Sequence, residues 1–158
     1  MLSAVIVHPD MRQVIPLCPE PITKQDGIEK NDCEQNASKR LLPDIRREHP
    51  HLKIIMVEDA LYATGPHLQL LKELDMRFVI NAKPGNLAGL FEFIKTNELE
   101  KYSYKDRHGY FHEYSFINNV PLNATHDSIE VNFVDYWQTD KKGKRQHFSW
   151  ITDIPTSK

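Results

Sequence analysis

Two short apolar runs, Leu52–Val57 (LKIIMV) and Arg77–Ala82 (RFVINA), constrain this chain more than any other feature. A near-continuous apolar run of this length predicts a strand covered on both faces. Between the two, Ala60–Gly65 reads as a loop and Pro66 takes the position a helix favours for its first proline. His67–Leu74 then sets Leu68, Leu71 and Leu74 on one helical face. Lys83-Pro84-Gly85 ends the second strand, and Asn86 is placed to cap a helix over Leu87–Lys95 with the stripe Leu87, Leu90, Phe91 and Ile94. Upstream, Asp32–His49 is helical in pattern, with Cys33, Ala37, Leu41, Leu42 and Ile45 on one side and charges on the other. Pro43 is expected to kink or interrupt this helix, and His49-Pro50-His51 to end it. Helix, strand, helix, strand, helix implies crossover connections and parallel pairing.

Either side of this block the texture differs. Leu2–Val7 and Gln13–Leu17 are short and β-branched, joined by a turn-rich segment, and predict an antiparallel hairpin that makes the sheet mixed. Pro16, Pro19 and Pro21 stop those strands, because proline cannot donate to a ladder. Thr23–Asn31 is polar and expected to be an exposed loop. After about Leu99, alternating aromatic runs separated by polar turns predict an antiparallel meander: Tyr102/Tyr104, Tyr110/Phe111, Tyr114/Phe116, Ile129–Phe133 and His147–Trp150. The expected class is α/β: a mixed sheet with flanking helices over residues 1–98, and a β-rich subdomain over 99–158.

Composition narrows the setting. Apolar residues make up 40% of the 158 and charged ones 27%, with a mean hydropathy of -0.54, which suits a globular domain rather than a disordered tail. No apolar run approaches the roughly 20 residues of a spanning helix, and the start lacks a basic secretory n-region, so a cytoplasmic protein is expected. Two cysteines, Cys18 and Cys33, do not make a disulfide framework. The net charge of -2 announces no nucleic acid, so an anionic partner would need local basic clusters.

Among residues with chemistry to offer, Asp59 stands first. A carboxylate at the C-terminal end of a central strand lies where open α/β sheets place ligands, although an Asp there also serves simply as a turn brace. Glu58 should face the opposite way. A receiver domain fails on spacing, because Lys83-Pro84 follows only one helix and one strand after Asp59. His49-x-His51 and His108-x3-His112 have ligand-like separations but no CxxC partner, so loop histidines are the better reading. No Ser/His/Asp order and no glycine-rich phosphate loop is present. Lys141-Lys142-Gly143-Lys144-Arg145 is a basic hairpin turn, ordinarily just solvated, yet beside aromatic strands it suits phosphates and unstacked bases.

The phrases Val14–Ile22 (VIPLCPEPI), Gln25-Asp26-Gly27, Lys30–Glu34 (KNDCE), Asn36-Ala37, Lys39-Arg40-Leu41, Glu58–Ala63 (EDALYA), Gly65-Pro66-His67 and Lys83-Pro84-Gly85 follow a familiar order. Together they resemble insertion-sequence transposases of the DDE type, which have an RNase-H-like core. The resemblance spans nearly the whole chain. It implies a partial RNase-H-like sheet, with Tyr102–Trp150 as an inserted β subdomain that helps grip transposon ends. It implies three carboxylates holding two Mg²⁺ or Mn²⁺ ions that drive in-line attack on a phosphodiester. Asp59 matches the second carboxylate and so a metal-ligand role. Nothing matches the first Asp or the final Glu: Asp10 falls in the hairpin turn and Asp153 at a strand end. The expectation is therefore a truncated reading frame, catalytically incomplete alone. Lys83, Lys141, Lys142, Lys144 and Arg145 would touch the DNA backbone, and Trp150 would stack on an unpaired base. Double-stranded transposon ends are the implied partner, a homo-oligomer is left open, and no membrane is involved. A non-catalytic remnant that modulates a full-length enzyme is the competing reading.

Overall fold

Prolines at three of six positions keep the N-terminal pairing short. In the computed structural model, which describes residues 1–23, 30–122 and 128–157, β1 (Val5–Ile6) and β2 (Ile15–Pro16) pair antiparallel, with Ile6 opposite Ile15. Past Pro16 the contact continues through the Leu17 amide on the Ala4 carbonyl (3.0 Å) and through a bridge of Leu2 with Glu20 made by two 2.8 Å bonds. Helix α1 (Lys30–Glu48) buries the expected stripe of Ala37, Leu41, Leu42 and Ile45. It runs without interruption through Pro43, where a kink or an interruption was expected. A proline removes one intrahelical bond, and the bonds on either side suffice here. Arg46 closes the C-terminal turn, its Nη1 donating to the carbonyls of His49 (3.2 Å) and Leu52 (3.0 Å), where a cation also suits the helix dipole. Arg40 donates to Glu20 and to the Pro21 carbonyl. These elements form one unit, Met1–Lys53. Most of the expected Thr23–Asn31 loop lies outside the described residues.

The second unit, Ile54–Lys158, holds the main sheet. Its elements are β3 (Ile55–Glu58), a 3-10 turn (Ala60–Tyr62), α2 (Gly65–Glu73), β4 (Arg77–Asn81), α3 (Ala88–Thr96), β5 (Glu100–Lys105), β6 (Phe111–Pro121), β7 (Glu130–Thr139) and β8 (Arg145–Thr152). The strand order is β3-β4-β8-β7-β6-β5. β3 and β4 are parallel, as the helical crossover requires, and every other pair is antiparallel. The fold is thus α/β with a mixed sheet. The mixture arises where β8 pairs with β4, whereas the N-terminal hairpin makes a two-stranded sheet of its own. The expected boundary at 98/99 falls inside this unit, where strands from both sides share one sheet.

Packing explains the arrangement. Phe78 and Ile80 of β4, Leu68 and Leu71 of α2, Leu90 of α3, and Phe116, Val131, Phe133 and Ile151 of the meander are all buried. Phe91 of α3 meets Phe133 edge-on, centroids 5.5 Å apart, which places α3 against the meander. Thr152 donates to the Phe78 carbonyl (2.6 Å) and Asp153 accepts from the Phe78 amide (2.9 Å), fastening β8 to β4. A further expectation is overturned. β3 is not covered on both faces: it is the end strand, with Ile55 54% and Val57 74% exposed. Among the described residues, no helix is long and apolar enough to cross a membrane.

Candidate functional site

Period-two alternation along β3 sends its last carboxylates to opposite faces. Glu58 is nearly buried and bonded at 2.8 Å to His67 Nε2 on α2, while Asp59 is exposed. His67 also packs against Tyr62, ring centroids 5.0 Å apart. Asp59 caps the 3-10 turn: its Oδ1 accepts the Leu61 amide at 2.9 Å. Its Oδ2 has no hydrogen-bond partner among the described residues. The loop after β4 is fastened to this turn through Asn86, whose Nδ2 donates to the Ala60 carbonyl at 2.7 Å. Asn86 was expected to cap α3, but its side chain is spent on that tether, and the N-cap residue is Leu87, with no side-chain cap. Lys83 lies exposed in the tethered loop, its carbonyl accepting the amides of Asn86 and Leu87. Asp59 and Lys83 therefore occupy neighbouring loops at the C-terminal ends of two parallel strands, the usual ligand side of such a sheet.

Two tight turns build a basic end on the meander. Asp106 Oδ1 accepts the amides of His108 (2.9 Å) and Tyr110 (2.8 Å), and Asp140 Oδ1 accepts those of Lys142 (2.8 Å) and Lys144 (2.9 Å). Each turn closes on a glycine at φ 82, a conformation that disfavours any Cβ. The turns lie side by side: a Cβ at Gly109 would come within 3.0 Å of Lys141 Cε. Lys105, Arg107, His108, Lys141, Lys142 and Lys144 are all exposed there. Arg107 and His108 were missed in the sequence reading, although Asp106-Arg-His-Gly109 repeats the spacing of Asp140-Lys-Lys-Gly143. Arg145 is less available. It is paired with Glu113 at 2.9 Å and lies 4.3 Å over the Trp137 ring.

Cross-strand register puts Tyr102, Tyr104, His112, Tyr114, Tyr136, Phe148 and Trp150 on one face of the sheet. The rings stack near-parallel, Tyr104 on His112 at 4.6 Å and Tyr114 on Tyr136 at 4.7 Å. Trp150 is half-buried, 5.8 Å from Phe148 and 6.1 Å from Tyr136. Tyr102, Tyr104 and Phe148 are at least 40% exposed, so the face is open. Burial, with help from the Tyr104 and Tyr136 hydroxyls, pushes Tyr114 up to about 12. Burial also raises Tyr136, whose hydroxyl bonds His112 Nδ1 at 2.8 Å.

On the opposite face, Asp135 gathers His147 Nε2 (2.6 Å), Ser149 Oγ (2.7 Å) and Trp137 Nε1 (3.2 Å) beside a cavity of about 890 Å³ lined also by Phe91, Ile94 and Phe133. The trio has the residue types of a hydrolase site without its geometry. The hydroxyl is bonded to the carboxylate, and the same imidazole nitrogen faces both partners, so no base is aligned to activate the serine. Among the described residues, no three His, Cys, Asp or Glu side chains converge on a metal position. Comparison with protein-family models and with curated proteins finds no match.

Proposed function

We propose that this chain is part of an insertion-sequence DDE transposase and that it binds the DNA ends of its element. The observation that carries the reading is Asp59: exposed at the C-terminal end of β3, with one oxygen uncommitted, beside a strand edge open to pairing. An RNase-H-like core uses such a position for a metal-ligand carboxylate. Two divalent cations need several oxygens apiece, and a single carboxylate does not supply them. The described residues therefore do not fit the Mg²⁺ or Mn²⁺ pair of the intact family, and no cleavage step is assigned to this chain.

Its own residues suit DNA binding. Lys83 and the basic end formed by Lys141, Lys142, Lys144, Arg107 and His108 would neutralise phosphates. Arg145 would join them only by leaving Glu113. Trp150, within the open aromatic face, would meet an unpaired base. The cytoplasm is the working compartment of such a protein. The lone carboxylate favours one variant of this reading, a non-catalytic DNA-binding remnant that modulates a full-length enzyme. A Mg²⁺- or Mn²⁺-dependent nicking assay on the chain alone tests the point. No cleavage is expected, and robust cleavage abolished by Asp59→Ala would overturn the assignment of an incomplete site.

A further inference from the structure

We propose that the cavity on the Asp135 face is a binding site for a small organic cation, an ammonium group tethered to an apolar ring. At about 890 Å³ the cavity falls within the roughly 300–1,000 Å³ of ligand pockets. It is lined by α3, by the start of β5 and by residues of β6, β7 and β8. Phe91 and Ile94 of α3 and Phe133 of β7 make its apolar wall, and Asp135 and His147 its polar one. An apolar wall with a few fixed polar groups is the usual make-up of a small-molecule site.

Elementary chemistry settles the proton on His147. A carboxylate only accepts, so the 2.6 Å contact of Nε2 with Asp135 Oδ1 requires the proton on Nε2. In the neutral ring Nδ1 is then a bare acceptor, and no donor among the described residues reaches it. The ring is held in place by stacking on Trp137, centroids 4.0 Å apart and planes 10° from parallel. Asp135 is itself occupied, because Oδ1 also accepts Ser149 Oγ at 2.7 Å and Oδ2 accepts the Trp137 indole at 3.2 Å. Its charge acts through the imidazole and makes Nδ1 the more basic, as a carboxylate behind a ligating histidine does. The lining then selects the ligand by charge. Lys95 is committed to Glu92 at 2.7 Å, which leaves Lys101 against the carboxylates of Asp135, Glu98 and Glu100. An ammonium donating to Nδ1 gains both the hydrogen bond and the negative field, while its ring lies on Phe91, Ile94 and Phe133. A neutral hydroxyl gains only the bond, and an anion gains neither.

The inference is independent of the DNA reading and is tested without DNA. In an amide NMR titration of the chain, phenethylammonium should bind saturably and perturb Phe91, Phe133, Asp135 and His147. 2-Phenylethanol should bind about tenfold more weakly, and phenylacetate should not saturate. His147→Phe keeps a ring on Trp137 but removes the acceptor, and Asp135→Asn removes the charge behind it. Each should weaken phenethylammonium about tenfold, the weight of one charge-assisted hydrogen bond. Ile94→Trp, which fills the cavity from α3, should abolish binding with an unchanged circular dichroism spectrum. The ranking of the three probes on the unaltered chain decides the matter even where a variant fails to fold. Absence of saturation by phenethylammonium, or phenylacetate binding as tightly, would overturn the proposal. So would shifts gathered on the Tyr104–Tyr136 face instead, or an affinity that a folded His147→Phe or Ile94→Trp leaves unchanged.

Discussion

Asp59 and Glu58 show how far one residue's position fixes its chemistry. Strict alternation in a strand made their opposite orientations legible from sequence. The partner that keeps Glu58 inside, His67, was not, since it lies nine residues away across a loop whose course no local pattern specifies. The same holds for Asp135, to which Trp137 is a local neighbour but His147 and Ser149 are brought only by the pairing of β7 with β8. Asp59 performs the modest duty of bracing a turn as well as presenting an oxygen. Asp59→Ala should therefore cost about 1 kcal/mol in urea unfolding, as other N-cap losses do, while Asp59→Asn should cost much less. Tyr114 gives a pH test. Its folded pKa, pushed up to about 12 by burial, lies above its ordinary 10.0, so the neutral hydroxyl is favoured in the native state. That contribution is complete below about pH 10 and is lost as the pH rises through 12. Stability should fall across this window, and Tyr114→Phe should flatten the fall in chemical denaturation followed from pH 9 to 12.

Elements were read best where a periodic pattern was long. The stripe of α1 and the helix between β3 and β4 follow the sequence closely, with Pro66 at the start of α2 as its position suggests. β3 was misjudged because a run of apolar residues records hydrophobicity and not coverage. Ile55 and Val57 are as apolar as a two-sided strand needs, and yet they remain 54% and 74% exposed. Pro43 does not interrupt α1, although local sterics predict a kink or a break: the buried stripe of Ala37, Leu41, Leu42 and Ile45 supports helix on both sides of it. Pro43→Ala restores an amide donor in mid-helix. It should stabilise the first unit by about 1–3 kcal/mol, less whatever the freer unfolded chain returns, read as a raised midpoint in thermal unfolding.

Across the whole molecule, the α/β class and the meander were legible because alternating elements and aromatic periodicity are local signals. The strand order was not. That β8 returns to pair with β4, merging the meander with the parallel pair, depends on contacts such as Thr152 with Phe78, far apart in sequence. That the hairpin forms a two-stranded sheet of its own likewise has no signature in its residues. The basic end was half legible: Lys141–Arg145 is conspicuous, whereas Arg107 and His108 join it only when the two turns lie together. That juxtaposition sets the most direct test of the central claim, which is binding of this chain to duplex DNA by fluorescence anisotropy over a salt series. Five cationic contacts, from Lys83, Arg107, Lys141, Lys142 and Lys144, predict log Kobs falling against log salt with a slope of about -4 to -5, and Lys141→Ala/Lys142→Ala/Lys144→Ala should leave a slope nearer about -2. No detectable binding at low salt, or binding whose slope the triple substitution leaves unchanged, would contradict it.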